Sequence, residues 1–216
     1  MKVNRIMEGF NKENYHILCD KLIITDGVFT AIKSQYGYPP YWTRPNTFET
    51  LVLTILEQQV SLASAYAAYI KLKERINTIT PQHLLNLSDE ELRGCYFSRQ
   101  KIVYTRELAT ALLSKKINLE KFTTENDEEV RTELKKLKGI GDWTVDIYLI
   151  HALQRTDVFP LGDLALVNAI KMSYGDPGLT KQDMLHLAER WRPYRSIATM
   201  MFWHYYIKKK NIKLLH

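Results

Sequence analysis

Apolar residues recur at intervals of three and four along most of the chain, a spacing that places them on one face of an α-helix. The clearest stripe consists of Phe48, Leu51, Val52, Ile55 and Leu56. No segment shows the strict alternation of apolar and polar residues that is typical of a half-buried strand. The pattern therefore predicts an all-α protein, with helices over 15–24, 27–36, 48–56, 62–76, 81–86, 101–114, 128–138, 143–153, 164–174, 180–191 and 193–209, and with a further short helix that starts at 88.

Polar residues and prolines mark where these helices begin and end. Three pairs have the spacing of a capping box, namely Asn46 with Glu49, Ser88 with Glu91, and Asn126 with Glu129. The segment 38–45 contains three prolines, which oppose regular structure, so we expect a loop there.

The segment 137–147 joins two predicted helices through a glycine–isoleucine–glycine turn. Gly139 and Gly141 can adopt positive φ and can bring backbone N–H groups close to a ligand. The start of the next helix favours an anion, because its first N–H groups lack intrahelical partners and the helix dipole is positive there. A nucleic acid phosphate is the natural anion for such a turn. Taken alone, however, this short motif also fits an ordinary helix connection.

A carboxylate follows about twenty residues later, where Asp163 stands after Pro160 and Gly162 at the start of the helical pattern 164–174. An aspartate in this position is most often an N-cap of the helix that it precedes.

Together, the segments LKGIGDWTVDIY and DVFPLGDLAL resemble the helix-hairpin-helix (HhH-GPD) DNA glycosylases, specifically the alkylation-repair branch of 3-methyladenine DNA glycosylase II, or AlkA-like, proteins. The resemblance extends roughly over 46–206. It implies a two-lobed helical glycosylase unit with a DNA-binding cleft between the lobes. On this basis we expect one lobe over 46–125 and the other over 1–45 plus 126–216.

The resemblance also implies roles for individual residues. Asp163 would be catalytic, and Gln59 would fill the space left by an extruded base. A base pocket is expected from Trp143, Trp203, Ile147 and Tyr148. Contacts to DNA are expected from Gln58, Gln59, Ser61, Lys138, Gly139, Gly141 and Thr144.

The implied activity is base-excision repair of alkylated purines, of the 3-methyladenine and 7-methylguanine type. In the implied reaction, Asp163 assists a water molecule that attacks C1′ of the flipped nucleotide. Enzymes with lyase activity need an amine for a Schiff base. Trp143 stands where the family's lyases carry that lysine, so we expect a monofunctional N-glycosyl hydrolase that leaves an intact abasic site. No cofactor or metal-binding side chains are expected, apart from a structural monovalent cation that the resemblance suggests at the hairpin carbonyls.

Composition adds limits to this interpretation. The chain carries 30 Lys and Arg against 24 Asp and Glu, a net charge of +6 that is compatible with double-stranded DNA as partner. Two cysteines are too few for an iron–sulfur cluster or a cysteine-rich zinc site. The sequence has neither a signal-peptide pattern nor a run of about 18 apolar residues. We expect an intracellular monomer, located in the cytoplasm if bacterial and in the nucleus if eukaryotic.

Two alternatives stay open on the sequence. One is a glycosylase for oxidised, deaminated or mismatched bases, against which Trp143 and the scarcity of cysteines argue. The other is a non-catalytic DNA-binding protein that uses only the hairpin, against which Asp163 argues.

Overall fold

The computed structural model describes residues 9–213, and over this range the chain forms twelve α-helices, a 3-10 turn at Lys121–Thr123 and an isolated bridge between Gly9 and Arg155. The predicted all-α class is confirmed. The helices are α1 (Tyr15–Ile23), α2 (Gly27–Tyr36), α3 (Phe48–Glu57), α4 (Leu62–Ile76), α5 (Pro81–Asn86), α6 (Asp89–Gly94), α7 (Arg99–Leu113), α8 (Asp127–Leu134), α9 (Asp142–His151), α10 (Leu164–Tyr174), α11 (Lys181–Glu189) and α12 (Arg195–Lys209).

Contacts divide the described chain into two compact units, one of residues 9–43 with 149–213 and the other of residues 44–148. The sequence analysis placed 126–148 in a lobe with 149–216, whereas here this segment belongs with 44–125. Within the second unit, for example, Tyr148 donates its hydroxyl hydrogen to Asn46.

In the first unit, α12 supplies much of the interior, since residues 196–204 are all buried. Trp191 packs edge-on against Phe29 at a ring-centroid distance of 5.6 Å and tilted against Phe202 at 5.2 Å. Large aromatic side chains of this kind bury more apolar area than aliphatic ones, so they dominate the energetics of a core.

A buried carboxylate ties three segments of this unit together. Asp26 caps α2 through the Val28 N–H at 3.2 Å, and its Oδ2 accepts from the Arg190 guanidinium at 2.9 Å. The same oxygen accepts from the Tyr174 hydroxyl, and burial together with this bond raises the pKa of Tyr174. The network fixes α2 relative to α10 and to the end of α11.

In the second unit, α3 is buried along most of its length. At its end, the Arg44 guanidinium meets the Glu57 carboxylate in a two-point contact, with Nη1 2.8 Å from Oε2 and Nη2 2.5 Å from Oε1. Paired, charge-assisted hydrogen bonds of this geometry are stronger than neutral ones. They hold the loop before α3 against the last turn of that helix.

Two of the three predicted capping boxes are confirmed, Ser88 with Glu91 and Asn126 with Glu129. The third prediction was wrong, because α3 is capped by Thr47, whose Oγ1 accepts from the Thr50 N–H at 3.3 Å. Asn46 instead donates to the Leu119 carbonyl at 2.7 Å and accepts from Tyr148, so tertiary partners compete for its amide. The last helix also begins at Arg195 rather than at Pro193, with Tyr194 as its N-cap.

Tyr96, in the turn between α6 and α7, has φ +65° and is 63% exposed. Left-handed backbone costs a residue with a Cβ about 1–2 kcal/mol, and glycine avoids that cost. Glycine also makes the unfolded chain more flexible, which offsets part of this gain. Because the exposed ring packs little, we expect Tyr96→Gly to raise the free energy of unfolding by about 0.5–1 kcal/mol in total. Urea denaturation measures the change. Tyr96→Ala removes the ring but keeps the Cβ, so an equal gain in both variants would contradict the strain argument.

Candidate active site and hairpin

The turn 135–141, which connects α8 to α9, packs against an aromatic ring of α7. Gly139 has φ +84°, and a Cβ added to it would lie 2.1 Å from Cγ of Tyr104. Gly141 differs from Gly139, because its φ is not positive and the space around it is open. Of the two glycines that the sequence allowed to adopt positive φ, Gly139 is therefore the one that this turn requires.

Side chains from α3 and α7 hold the turn in place. Gln58, the residue after α3, donates Nε2 hydrogens to the Gly139 carbonyl at 2.8 Å and to Thr144 Oγ1 at 2.9 Å. On the other side, the Lys138 N–H donates to Oε1 of Glu107 at 2.9 Å. The backbone of the turn is thereby bound at two successive residues.

Gln58 and Thr144 were both expected to contact DNA. Gln58 is half-buried, and Thr144 is 2% exposed. Their bond to each other makes them internal supports of the hairpin. Direct contact of either residue with DNA stays a prediction.

The surface of the hairpin suits an anion. Lys138 and Gly141 are exposed, and α9 begins at Asp142. The N–H groups of the first turn of a helix have no intrahelical partners, and the helix dipole adds partial positive charge there. Backbone N–H groups next to a lysine are thus available to an anion, and phosphate binding there stays a prediction.

The turn 58–61 between α3 and α4 is anchored at its base and exposed at its tip. At the base, Lys101 Nζ donates to the Leu56 carbonyl at 2.7 Å, and burial lowers the pKa of Lys101. At the tip, Gln59 is exposed and has φ +56°. Ser61 caps α4 through the Ser64 N–H at 3.1 Å, so its hydroxyl has a structural role. Insertion of Gln59 into DNA stays a prediction.

Asp163, in the unit of residues 9–43 and 149–213, is the N-cap of α10. Its Oδ1 accepts from the Leu166 N–H at 2.8 Å and from the Trp203 indole N–H at 3.0 Å. The side chain is half-buried. The carboxylate is therefore bound both to its own helix and to a predicted pocket residue.

Trp203 is itself held by neighbours in the same unit. Its ring, 9% exposed, stacks on His151 with centroids 5.4 Å apart and an interplanar angle of 10°. His151 Nδ1 donates to the Trp42 carbonyl at 2.8 Å. The orientation of the indole beside Asp163 is thus fixed by packing as well as by a hydrogen bond.

The other predicted pocket residues lie on α9 in the unit of residues 44–148. Trp143 is half-buried, whereas Ile147 and Tyr148 are buried at 4% and 0% exposure. Tyr148 bonds to Asn46 and packs edge-on against Phe122 at a centroid distance of 6.3 Å. Tyr148 therefore has interior partners, and a pocket role for these three residues stays a prediction.

Several supporting residues were missed by the sequence analysis. Tyr104 and Glu107 are three residues apart on one face of α7, but their target is a turn more than thirty residues away. Asp146, in the second helix of the hairpin, pairs with Arg131 of the first. Burial raises the pKa of Asp146 to about 6, although Arg131 opposes the shift. An acidic residue on the apolar face of α9 was the available signal.

Within residues 9–213, no group of three or more His, Cys, Asp or Glu side chains is placed to hold a metal ion. Cys19 and Cys95 are both buried thiols. Over the same residues, the structure contains no helix with the length and apolar character needed to span a bilayer.

Comparison with known proteins assigns the family. A model of the HhH-GPD superfamily of base excision DNA repair proteins matches residues 52–193, more than half of the chain. The chain belongs to this superfamily. It is 32% identical over 161 residues to DNA-3-methyladenine glycosylase 1 of Schizosaccharomyces pombe, which covers 72% of this chain and 71% of that protein.

Two further relatives define how much of such proteins the chain represents. It is 29% identical to a putative DNA-3-methyladenine glycosylase of Bacillus subtilis over 81% of this chain, and it spans 64% of that protein's length. A structure of the S. pombe 3-methyladenine DNA glycosylase in complex with abasic DNA superposes with a TM-score of 0.80 at 28% identity. That superposition covers 91% of this chain and 97% of the other.

The two hairpin glycines should respond differently to alanine. Gly139→Ala combines left-handed backbone with overlap against Tyr104, so we expect it to lower the free energy of unfolding by about 2–4 kcal/mol. Gly141→Ala adds a methyl group to open space, and a change within about 0.5 kcal/mol is expected. Thermal or denaturant unfolding of the two variants provides the measurement. Equal destabilisation would show that the turn does not have the described geometry.

Proposed function

We propose that this protein is a DNA glycosylase that hydrolyses the bond between deoxyribose and alkylated purines of the 3-methyladenine and 7-methylguanine type. The observation that carries the proposal is the Asp163 carboxylate, which two hydrogen bonds hold beside the Trp203 indole. The similarity to DNA-3-methyladenine glycosylases supports the class of substrate.

The chemistry needs one well-placed carboxylate. Departure of the base leaves positive charge on the sugar, which a nearby carboxylate stabilises electrostatically. The same group can orient or deprotonate the water that attacks C1′. The bonds from the Leu166 N–H and the Trp203 indole to Oδ1 restrict the orientation of the Asp163 side chain, so less ordering is needed when substrate binds.

Alkylated purines suit an aromatic pocket because alkylation at N3 or N7 makes the base cationic. A cation placed over an indole gains about 0.5–2 kcal/mol. The positive charge also makes the base a good leaving group, which removes the need for a strong general acid. Trp203, whose indole N–H bonds to Asp163, would supply such an indole.

The reaction proposed is hydrolysis without strand cleavage. A lyase reaction requires a primary amine that forms a Schiff base with C1′. Trp143 occupies the position of that lysine, and an indole nitrogen cannot form the adduct. The product is an intact abasic site.

The proposed substrate is double-stranded DNA, in which the damaged nucleotide must leave the stack before the reaction. Backbone N–H groups of the hairpin and Lys138 would bind phosphates, while Gln59 would fill the vacated space. Phosphate contacts make such binding independent of sequence and sensitive to salt. A DNA substrate places the activity in the cytoplasm of a bacterium or the nucleus of a eukaryote.

We also propose a monovalent cation at the hairpin carbonyls, on the basis of the family resemblance. The Leu137 and Gly139 carbonyls each accept one hydrogen bond, from the Ile140 N–H at 3.2 Å and from Gln58 at 2.8 Å. A carbonyl oxygen has two lone pairs, so each retains capacity for a cation. Crystals soaked with a heavier monovalent cation should show added density there, and its absence would contradict this part of the proposal.

Asp163→Asn is the decisive variant for the catalytic assignment. Asparagine also caps helices and keeps an oxygen for Leu166 and Trp203, so the fold should be retained. We expect release of methylated purines from alkylated DNA to fall by at least about a hundredfold, since electrostatic stabilisation of a transition state is commonly worth that much. Binding to an abasic-site duplex should change much less. Chromatography of released bases and a binding titration measure the two effects.

Asp183→Asn is the matched control, because Asp183 is an aspartate of the same unit that also takes part in capping a helix, from the first turn of α11. Its activity should equal that of the wild type. Full activity of Asp163→Asn would exclude Asp163 as the catalytic carboxylate. Failure of the wild type to release any base would favour a non-catalytic DNA-binding protein, and release of oxidised or deaminated bases alone would change the substrate class.

A further inference from the structure

One side chain connects the exposed turn 58–61 to the hairpin turn 135–141. Gln58 Nε2 lies 2.8 Å from the Gly139 carbonyl oxygen and 2.9 Å from Thr144 Oγ1. The next residue along the chain is Gln59, which is exposed and has φ +56°. The amide that binds the hairpin and the side chain expected to enter DNA are therefore adjacent in sequence.

The chemistry of Gln58 suits a bridge of this kind. A primary amide carries two N–H hydrogens on one nitrogen, so Nε2 can donate to both acceptors at once. A glutamate has nearly the same shape but no donor when ionised, and its oxygens would face the Gly139 carbonyl oxygen. Both acceptors belong to the hairpin, one before the start of α9 and one in its first turn.

Two other bonds lead from these segments to α7. Lys101 holds the end of α3 at the Leu56 carbonyl, and Glu107 holds the hairpin at the Lys138 N–H. Each of these bonds fastens one turn to α7. The bonds of Gln58 join the two turns directly, which defines the distance between Gln59 and the hairpin N–H groups.

We infer that Gln58 is a positioning residue that couples insertion of Gln59 into the duplex to the binding of phosphates by the hairpin. This inference rests on the proposed function. In a duplex, the space vacated by an extruded base and the neighbouring phosphates lie at a fixed spacing. A protein that holds both contact points at that spacing before binding loses less conformational entropy on binding.

Gln58 should contribute differently to the affinity for undamaged DNA and to the affinity for a duplex with an extruded or missing base. Binding to undamaged DNA depends on phosphate contacts, which leave Gln59 outside the stack, so it should not need Gln58. Binding to a duplex with an extruded or missing base uses both contact points. Loss of Gln58 should therefore reduce discrimination between the two duplexes, while the salt dependence of binding to undamaged DNA stays the same.

The experiment compares Gln58→Ala, Gln59→Ala and the double variant on an abasic-site duplex and on undamaged DNA, over a series of salt concentrations. We expect Gln58→Ala to weaken binding to the abasic-site duplex about tenfold, the size expected for the loss of one or two hydrogen bonds. The effect on undamaged DNA should stay below about twofold. In the Gln58→Ala background, Gln59→Ala should have little further effect, because residues that act as a unit are not additive.

Two further variants guard against a change in folding. Gln58→Met keeps the length of the side chain but has neither a donor nor a charge, and it should behave as Gln58→Ala. Thr144→Val removes one acceptor without changing the shape, and a smaller loss in the same direction is expected. Thermal unfolding of each variant, with and without DNA, identifies a protein that has simply lost its structure.

Additive effects of Gln58→Ala and Gln59→Ala would overturn the inference. Equal losses on both duplexes, with a smaller salt slope, would also overturn it by showing that Gln58 only maintains the hairpin. If the wild type binds abasic-site and undamaged duplexes equally and releases no base, the proposed function fails and the inference fails with it. If the wild type is active and discriminates but Gln58→Ala is unchanged, the inference alone is wrong.

Discussion

The packing of Gly139 against the ring of Tyr104 is the constraint on which the hairpin depends. A Cβ at residue 139 would overlap the ring, and the positive φ there sets the direction of the chain into α9. With the turn in this position, the Gly139 carbonyl accepts from Gln58 and the Lys138 N–H donates to Glu107. The position of the N–H groups at the start of α9 therefore depends on tertiary packing as well as on the local glycine motif.

Asp163 combines an N-cap position with the catalytic role proposed for it. An N-cap carboxylate must point one oxygen at the third N–H of its helix, which restricts its rotamer. The Trp203 indole adds a second donor to that oxygen. The bond that caps α10 thus also helps to orient the carboxylate for the proposed reaction.

The sequence was sufficient for features that depend on neighbours along the chain. Helical periodicity located the twelve helices closely, and the boxes at Ser88 and Asn126 were confirmed because both partners lie within one turn. It failed where distant groups compete. Asn46 was predicted to cap α3, but the Leu119 carbonyl and the Tyr148 hydroxyl take its amide. The difference between Gly139 and Gly141 likewise depends on where α7 places Tyr104, which no local pattern records.

The family resemblance indicated which segments form the candidate site, but it did not distinguish the roles of the individual residues. Gln58, Thr144 and Lys138 all stand where contact with DNA was expected, yet burial separates them. Thr144 is 2% exposed and bonded to Gln58, whereas Lys138 is exposed. A buried hydroxyl gains nothing from a phosphate that it cannot reach, but an amide bonded to it keeps the hairpin in one conformation. Polar residues near such a surface therefore include some that are free to contact a ligand and others that hold those residues in position. The hydrogen bonds within the protein distinguish the two groups.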